Sequence, residues 1–362
     1  MRLLAALVLL AALALPARAA AARTVPHGWL GVTVDGPMTA ADAQEWDRMP
    51  GAGVESARVA FRWALLEPEA GALDFAPADA VVAAAAARGI GVLPVVQEPP
   101  AWASVIPSDP ASPPGDPEAV RALFAALVGR YGPAGSFWAE RPDLPRLPIR
   151  AWQVFNEPNL PMFWSEQPFG DRYVATLRAA AAGIRGADPG AKVILAGLTN
   201  FSWKDLRQVY RAGGRGLFDA VAVHPYSKEP VYVMRIIRNV RRTMDRAGDR
   251  RMPIWVTEFS WAGAKGLAER HALFDATPRQ QAQRLDAFMG LLTAARRELR
   301  IQRAYWYTWL SVEGGENSFA WSGLRRIRDS ALLSAPALSA FRAVARRLEG
   351  CSKLAGDASR CA

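Results

Sequence analysis

Along residues 29–349, short β-branched and aromatic runs alternate with longer Ala-, Leu- and Arg-rich stretches of helical periodicity, which restricts the chain to folds built from βα units around a parallel sheet. The strand-like runs are WLGVTVD (29–35), SARVAFRW (56–63), GVLPVVQ (91–97), IRAWQVFN (149–156), KVILAGL (192–198), AVAVHPY (220–226), PIWVTEF (253–259) and RAYWYTWL (303–310). Helical patterns fill the gaps at 39–48, 77–88, 116–130, 170–187, 203–213, 230–247, 278–299 and 334–349. Asp116 before Pro117 and Thr277 before Pro278 are helix-start signals. Eight strands, each followed by a helix, predict an α/β chain with a (β/α)₈ TIM barrel as its single catalytic domain, spanning 24–349. A doubly wound sheet would want a glycine-rich phosphate turn after an early strand; Gly213-Gly214-Arg215-Gly216 precedes a strand and reads as a turn.

At 51% hydrophobic and 22% charged residues, the chain is neither disordered nor fibrous. The formal charge of +10 raises the question of a polyanionic partner. Its cations are nearly all Arg and are scattered rather than clustered, so no nucleic-acid partner is expected. Residues 1–19 carry Arg2, an uncharged apolar run from Leu3 to Leu15, then Pro16 and Ala17-Arg18-Ala19, the layout of a secretory signal peptide too short to span a bilayer. The chain is therefore expected to be exported, to the extracellular or periplasmic side, with no integral span after cleavage. In an oxidising compartment Cys351 and Cys361 are expected to form a disulfide that closes a loop in the tail 350–362. The sequence selects no oligomeric state.

In a barrel of this kind reacting groups sit at the C-terminal ends of strands. Two carboxylates follow apolar runs there: Glu157 in AWQVFNEPN and Glu258 in PIWVTEFSW. A carboxyl pair is what glycosidic cleavage requires, one member protonated to donate to the leaving oxygen and one ionised to meet the oxocarbenium-like carbon. Asn156 adjoins Glu157 and can bond a sugar hydroxyl, while Arg58 and Tyr226, on neighbouring strands, are placed to support an ionised Glu258.

NEP after an aromatic-rich strand, HPY two strands later and a TEF strand after that resemble the motifs of retaining glycoside hydrolases of clan A. The segment RVAFRWALLEPEAGALDF, followed by a helix and GVLPVV, is most similar to family 39, including its exopolysaccharide-hydrolysing and β-xylosidase members, with family 5 next. The resemblance implies a retaining β-glycosidase that cleaves an oligo- or polysaccharide by double displacement and needs neither metal nor organic cofactor. It implies Glu157 as acid/base, Glu258 as nucleophile, Asn156 on the sugar 2-hydroxyl, Arg58 and Tyr226 beside the nucleophile, and His224 lining the site. Trp306 or Trp309 on the last strand would floor the reacting sugar. Strand three ends in Gln97-Glu98, where many members carry His. The alternative is a carbohydrate-binding barrel without turnover.

Four other features are weaker. Glu67 in ALLEPEAG reads as a structural turn, Glu98 as a contact for a distal sugar, and His271 as a surface residue. Trp102, Trp164, Trp203 and Trp261 fall in loops after strands, where each either stacks on a pyranose ring or caps the barrel mouth.

Overall fold

A computed structural model describes residues 22–35, 38, 42–268, 272–314, 317–351, 353 and 356–359. The segment 1–19, His271 and Cys361 lie outside the described residues. The barrel strands are β1 (Leu30–Val34), β2 (Ser56–Arg62), β3 (Gly91–Gln97), β4 (Ala151–Val154), β5 in two pieces (Lys192–Ile194 and Leu198–Thr199), β6 (Val221–His224), β7 (Ile254–Phe259) and β8 (Ile301–Trp306). All pair in parallel, in the order β5–β4–β3–β2–β1–β8–β7–β6 and back to the second piece of β5. The ring is closed between Ile194 and Ala220, where the Leu195 N–H donates to the Ala220 carbonyl at 3.0 Å. This is the expected (β/α)₈ barrel.

Strands covered on both faces must be apolar almost throughout, which is why LGVTV in β1 and IWVTEF in β7 are buried at every position. Leu93, Ile194, Ala220, Ala222, Trp255 and Tyr305 pack together as one cluster within the sheet. Outside it lie α1 (Ala43–Gly51), α2 (Ala76–Ala86), α3 (Pro117–Tyr131), α4 (Gly170–Ala187), α5 (Ser202–Arg211), α6 (Pro230–Arg246), α7 (Pro278–Ala294) and α8 (Pro336–Glu349). Asp116 caps α3 through the Glu118 N–H at 2.8 Å, and Thr277 and Gln280 form a reciprocal capping box on α7.

The run 303–310, expected as one strand, is divided: β8 ends at Trp306 and the chain resumes as β9 (Leu310–Val312). β9 joins β10 (Arg325–Arg328) and β11 (Ala331–Ser334) in a separate three-stranded sheet. Arg325 and the Trp309 indole both bond the buried Glu45 of α1, fastening this sheet to the barrel wall. Among the described residues no helix is long and apolar enough to cross a membrane.

Candidate active site

Arg58, from within β2, meets the C-terminal ends of β4, β6 and β7 in one buried polar cluster. Arg58 of β2 links three neighbours: Nε donates to Gln153 Oε1 at 2.9 Å, Nη1 to Glu258 Oε1 at 2.6 Å and Nη2 to Asn156 Oδ1 at 2.7 Å. From beyond β6 the Tyr226 hydroxyl donates to Glu258 Oε2 at 2.8 Å. Glu258 thus holds one charge-assisted and one neutral hydrogen bond, one on each oxygen.

Glu157 sits where the chain leaves β4 through two residues in the left-handed region, Phe155 (φ 64°) and Glu157 (φ 42°). Each costs about 1–3 kcal/mol and persists because its surroundings fix it. Here the Glu157 N–H donates to the Gly197 carbonyl at 3.1 Å, and the Leu160 N–H donates to the Glu157 carbonyl at 2.9 Å. His224 Nδ1 lies 2.6 Å from Glu157 Oε1, and its Nε2 lies 3.0 Å from Thr257 Oγ1. Gly197 is required beneath this ring, because a Cβ there would collide with the imidazole.

Burial pushes the Glu157 carboxyl up to about 7, against a smaller opposing pull from Arg58. The fully buried His224 imidazole is driven down to about 3 and is neutral at ordinary pH. The donor in the His224–Glu157 bond follows the state of the carboxyl: protonated Glu157 donates to Nδ1, and ionised Glu157 accepts from an Nδ1–H tautomer. Burial, followed by the charge of Glu258, raises the Tyr226 hydroxyl well above its ordinary value, so it remains a donor.

One atom each from Glu157, His224 and Glu258 lie within 4.8 Å of one another. That spacing could ligate a cation, but the same groups already satisfy one another and Tyr226 by hydrogen bonds. Above them opens a cavity of about 560 Å³, lined by Asn156, Glu157, Tyr226 and Glu258, with Asp35, Arg62, Gln97, Glu98, Thr199 and Asn200 also on its wall.

The structure therefore brings together Arg58, Asn156, Glu157, His224, Tyr226 and Glu258. It does not bring Trp306 or Trp309 into the cavity. Trp306 is fully buried, bonding the Ser322 carbonyl, and Trp309 is buried against Glu45. The aromatic residue of this segment on the cavity wall is Tyr307, whose hydroxyl bonds Asp35 at 3.2 Å. It falls just past the end of β8, where strict alternation no longer assigns faces. Trp164 and Trp261 are core residues and Trp203 packs against the core; Trp102 is partly exposed and stacks edge-on against Trp63. None of the four lines the cavity. Glu67 is the expected turn residue, accepting from Trp63 Nε1 at 2.8 Å and the Gly71 N–H at 2.9 Å. Glu98 lies on the cavity wall beside Gln97 and 3.4 Å from Arg62. Sequence reading missed Gln153 and Thr257, each on a recognised strand and legible only through the partner it holds.

No protein-family model matches the sequence, and no curated protein matches it. Solved structures do. A family 39 glycoside hydrolase from the gut symbiont Bacteroides cellulosilyticus superposes with a TM-score of 0.68 at 20% identity, over 90% of this chain and 64% of that one. A monomeric β-xylosidase from Caulobacter crescentus gives a TM-score of 0.61 at 19% identity, over 90% of this chain and 69% of that one. The GH53 catalytic domain of Ignisphaera aggregans gives 0.57 at 17% identity, over 88% of this chain and 97% of that one. The chain thus spans 64% of the first of these relatives, and at such identities the likeness is one of fold: this is the barrel on which glycoside hydrolases of these families are built.

Proposed function

We propose that the protein is an exported retaining β-glycosidase in which Glu157 is the general acid/base and Glu258 the nucleophile. The observation that carries this reading is the pairing of two unlike carboxyls. One, Glu157, is raised to about 7 by burial and sits against a neutral imidazole, while an oxygen of the other lies within 4.8 Å and is held by Arg58 and Tyr226. A spacing this short suits direct attack on the anomeric carbon, since inverting enzymes hold their carboxyls about 6.5–9.5 Å apart to admit a water.

In the first step Glu157 gives its proton to the glycosidic oxygen as the C–O bond breaks, and Glu258 forms an ester to the anomeric carbon. In the second, ionised Glu157 takes a proton from water, which displaces Glu258 and releases the sugar with its configuration retained. Arg58 fixes the nucleophile and the Asn156 amide oxygen together, leaving the Asn156 NH₂ to donate to a sugar hydroxyl. Export is supported by the apolar N-terminal run, whose layout is that of a secretory signal. The test is a glycoside panel with the anomer of the first product followed by ¹H NMR. Retention is expected on whichever sugar is turned over; inversion, or no turnover of any β-glycoside, overturns the reading.

A further inference from the structure

Glu157 would protonate the leaving group, so the leaving group must lie on Glu157's side of the cavity. That side is built by the loop that follows Glu157, and its composition is informative. The chain turns twice, through Leu160 N–H to the Glu157 carbonyl at 2.9 Å and Phe163 N–H to the Leu160 carbonyl at 3.0 Å. The loop's one indole, Trp164, points inward and is clamped edge-on between Phe155 and Tyr173 at 5.4 and 5.8 Å. Leu160, Met162 and Phe163 point the other way, onto the cavity wall.

Met162 is 71% exposed and Phe163 43% exposed, although a soluble surface gains nothing by displaying them side by side. Leu273, 69% exposed, and Phe274 line the same cavity. The rigid Trp164 anchor makes this a held surface rather than a frayed one. The cavity has polar groups elsewhere on its wall, Thr199 and Asn200 among them, but the stretch Leu160, Met162 and Phe163 offers the hydroxyls of a glycosyl leaving group no side-chain partner, and no Trp lines the cavity as a platform. Flexible Met and Leu side chains suit a ligand without hydroxyls.

We infer that the leaving-group side of the cavity is an aglycone site for an apolar alkyl or aryl group, so that the preferred substrate is a glycoside of a hydrophobic alcohol or phenol rather than a glycan chain. This rests on the glycosidase reading and departs from the oligo- or polysaccharide substrate that the sequence resemblance implies.

The test separates the two ideas. Binding of methyl, octyl and phenyl β-thioglucosides, which resist hydrolysis, is measured by calorimetry, and kcat/KM is measured for methyl and octyl β-glucosides and β-xylosides and for cellobiose and xylobiose. Methyl and octyl leaving alcohols have nearly equal reactivity, so any preference reports burial of the chain. Burying two or three methylenes favours octyl by about tenfold or more. In Met162→Ser/Phe163→Ser that ratio is expected to fall towards unity; both positions are exposed, so the fold does not depend on them. A phenyl preference without an octyl preference would assign the site to aryl groups, and both would assign it to apolar groups at large. Equal or undetectable binding of octyl and methyl compounds, or preference for cellobiose, overturns the inference. Octyl-selective binding without hydrolysis of any glycoside would leave the apolar site standing and remove the hydrolase reading; hydrolysis with octyl and methyl equal would do the reverse.

Discussion

His224 Nδ1 lies 2.6 Å from Glu157 Oε1 and 3.5 Å from Glu258 Oε2, so one buried imidazole stands between the two carboxyls proposed to do the chemistry. With its pKa driven to about 3, the ring adds no positive charge there, and burial leaves Glu157 poised near neutrality at about 7. A cationic histidine at this position would favour ionised Glu157 and remove the acid.

The pH dependence follows in sign. A general acid must be protonated, so kcat/KM is expected to fall as pH rises through about 7, the value of Glu157. His224 cannot produce that limb, because it titrates near 3. In Glu157→Gln the limb should disappear; a limb of the same midpoint surviving in that variant would assign it to another group.

Substitution of Glu157 should divide substrates by leaving group. Glu157→Ala is expected to lose about 10²–10⁴ in kcat/KM on an unactivated alkyl glycoside. A dinitrophenyl glycoside needs no proton, so its first step should survive, visible as a burst of phenolate followed by slow turnover. Azide, filling the vacated space, should restore turnover and give a β-glycosyl azide.

Gly197 offers a test of the positioning shell rather than of the reacting groups. A Cβ at this position would collide with the His224 ring, which must then leave Glu157. Gly197→Ala is expected to cost about 1–3 kcal/mol by overpacking, read as a lower midpoint in chemical denaturation. A misplaced acid should also lower kcat by roughly 10²-fold. Unchanged kcat would mean that the imidazole does not orient Glu157.

At the opposite end of the barrel, Glu55 is fully enclosed and accepts from Arg23, the Gly28 N–H and Lys353, tying both terminal segments to the base. Burial alone would raise its carboxyl, but bonds from His27, Arg23 and Lys353 outweigh it and hold the group far below the usual range. A depressed folded value contributes stability above the ordinary carboxylate pKa and loses it as pH falls below that value. Glu55→Gln is therefore expected to cost about 1–3 kcal/mol near neutral pH, because the buried Lys353 keeps, among the described residues, only Glu349 as a charged partner, and to speed proteolysis of the tail. Because this cluster is remote from Glu157, kcat of the folded variant should stay at the wild-type level.

Much of this architecture is legible in the sequence for simple reasons. β3 is bounded as read, 91–97, because Gly91 and the Pro99-Pro100 pair punctuate it, and α4 is read as 170–187 from an uninterrupted periodic stretch. Glu157 and Glu258 stand out because a carboxylate after a buried strand is costly without a task or a partner. The tryptophans were misleading. Trp306 and Trp309 bracket the break after β8, where neither period two nor period 3.6 holds, so the pattern could not show that Tyr307 rather than either indole faces the cavity. Fully buried Trp29, Trp46, Trp63, Trp152, Trp164 and Trp261 serve the packing between sheet and helices. The apolar wall of Leu160, Met162 and Phe163 lay unread inside the NEPNLPMF loop, because exposure of a loop residue is not encoded in periodicity.

The most direct test of the central claim is to incubate the enzyme with 2-deoxy-2-fluoro-β-glycosyl fluorides of glucose, xylose and mannose, and to locate any covalent label by peptide mass spectrometry. The slowed second step should leave one fluorosugar esterified to Glu258. A label on any other residue, or continued turnover of these fluorides with no covalent adduct, would contradict the account.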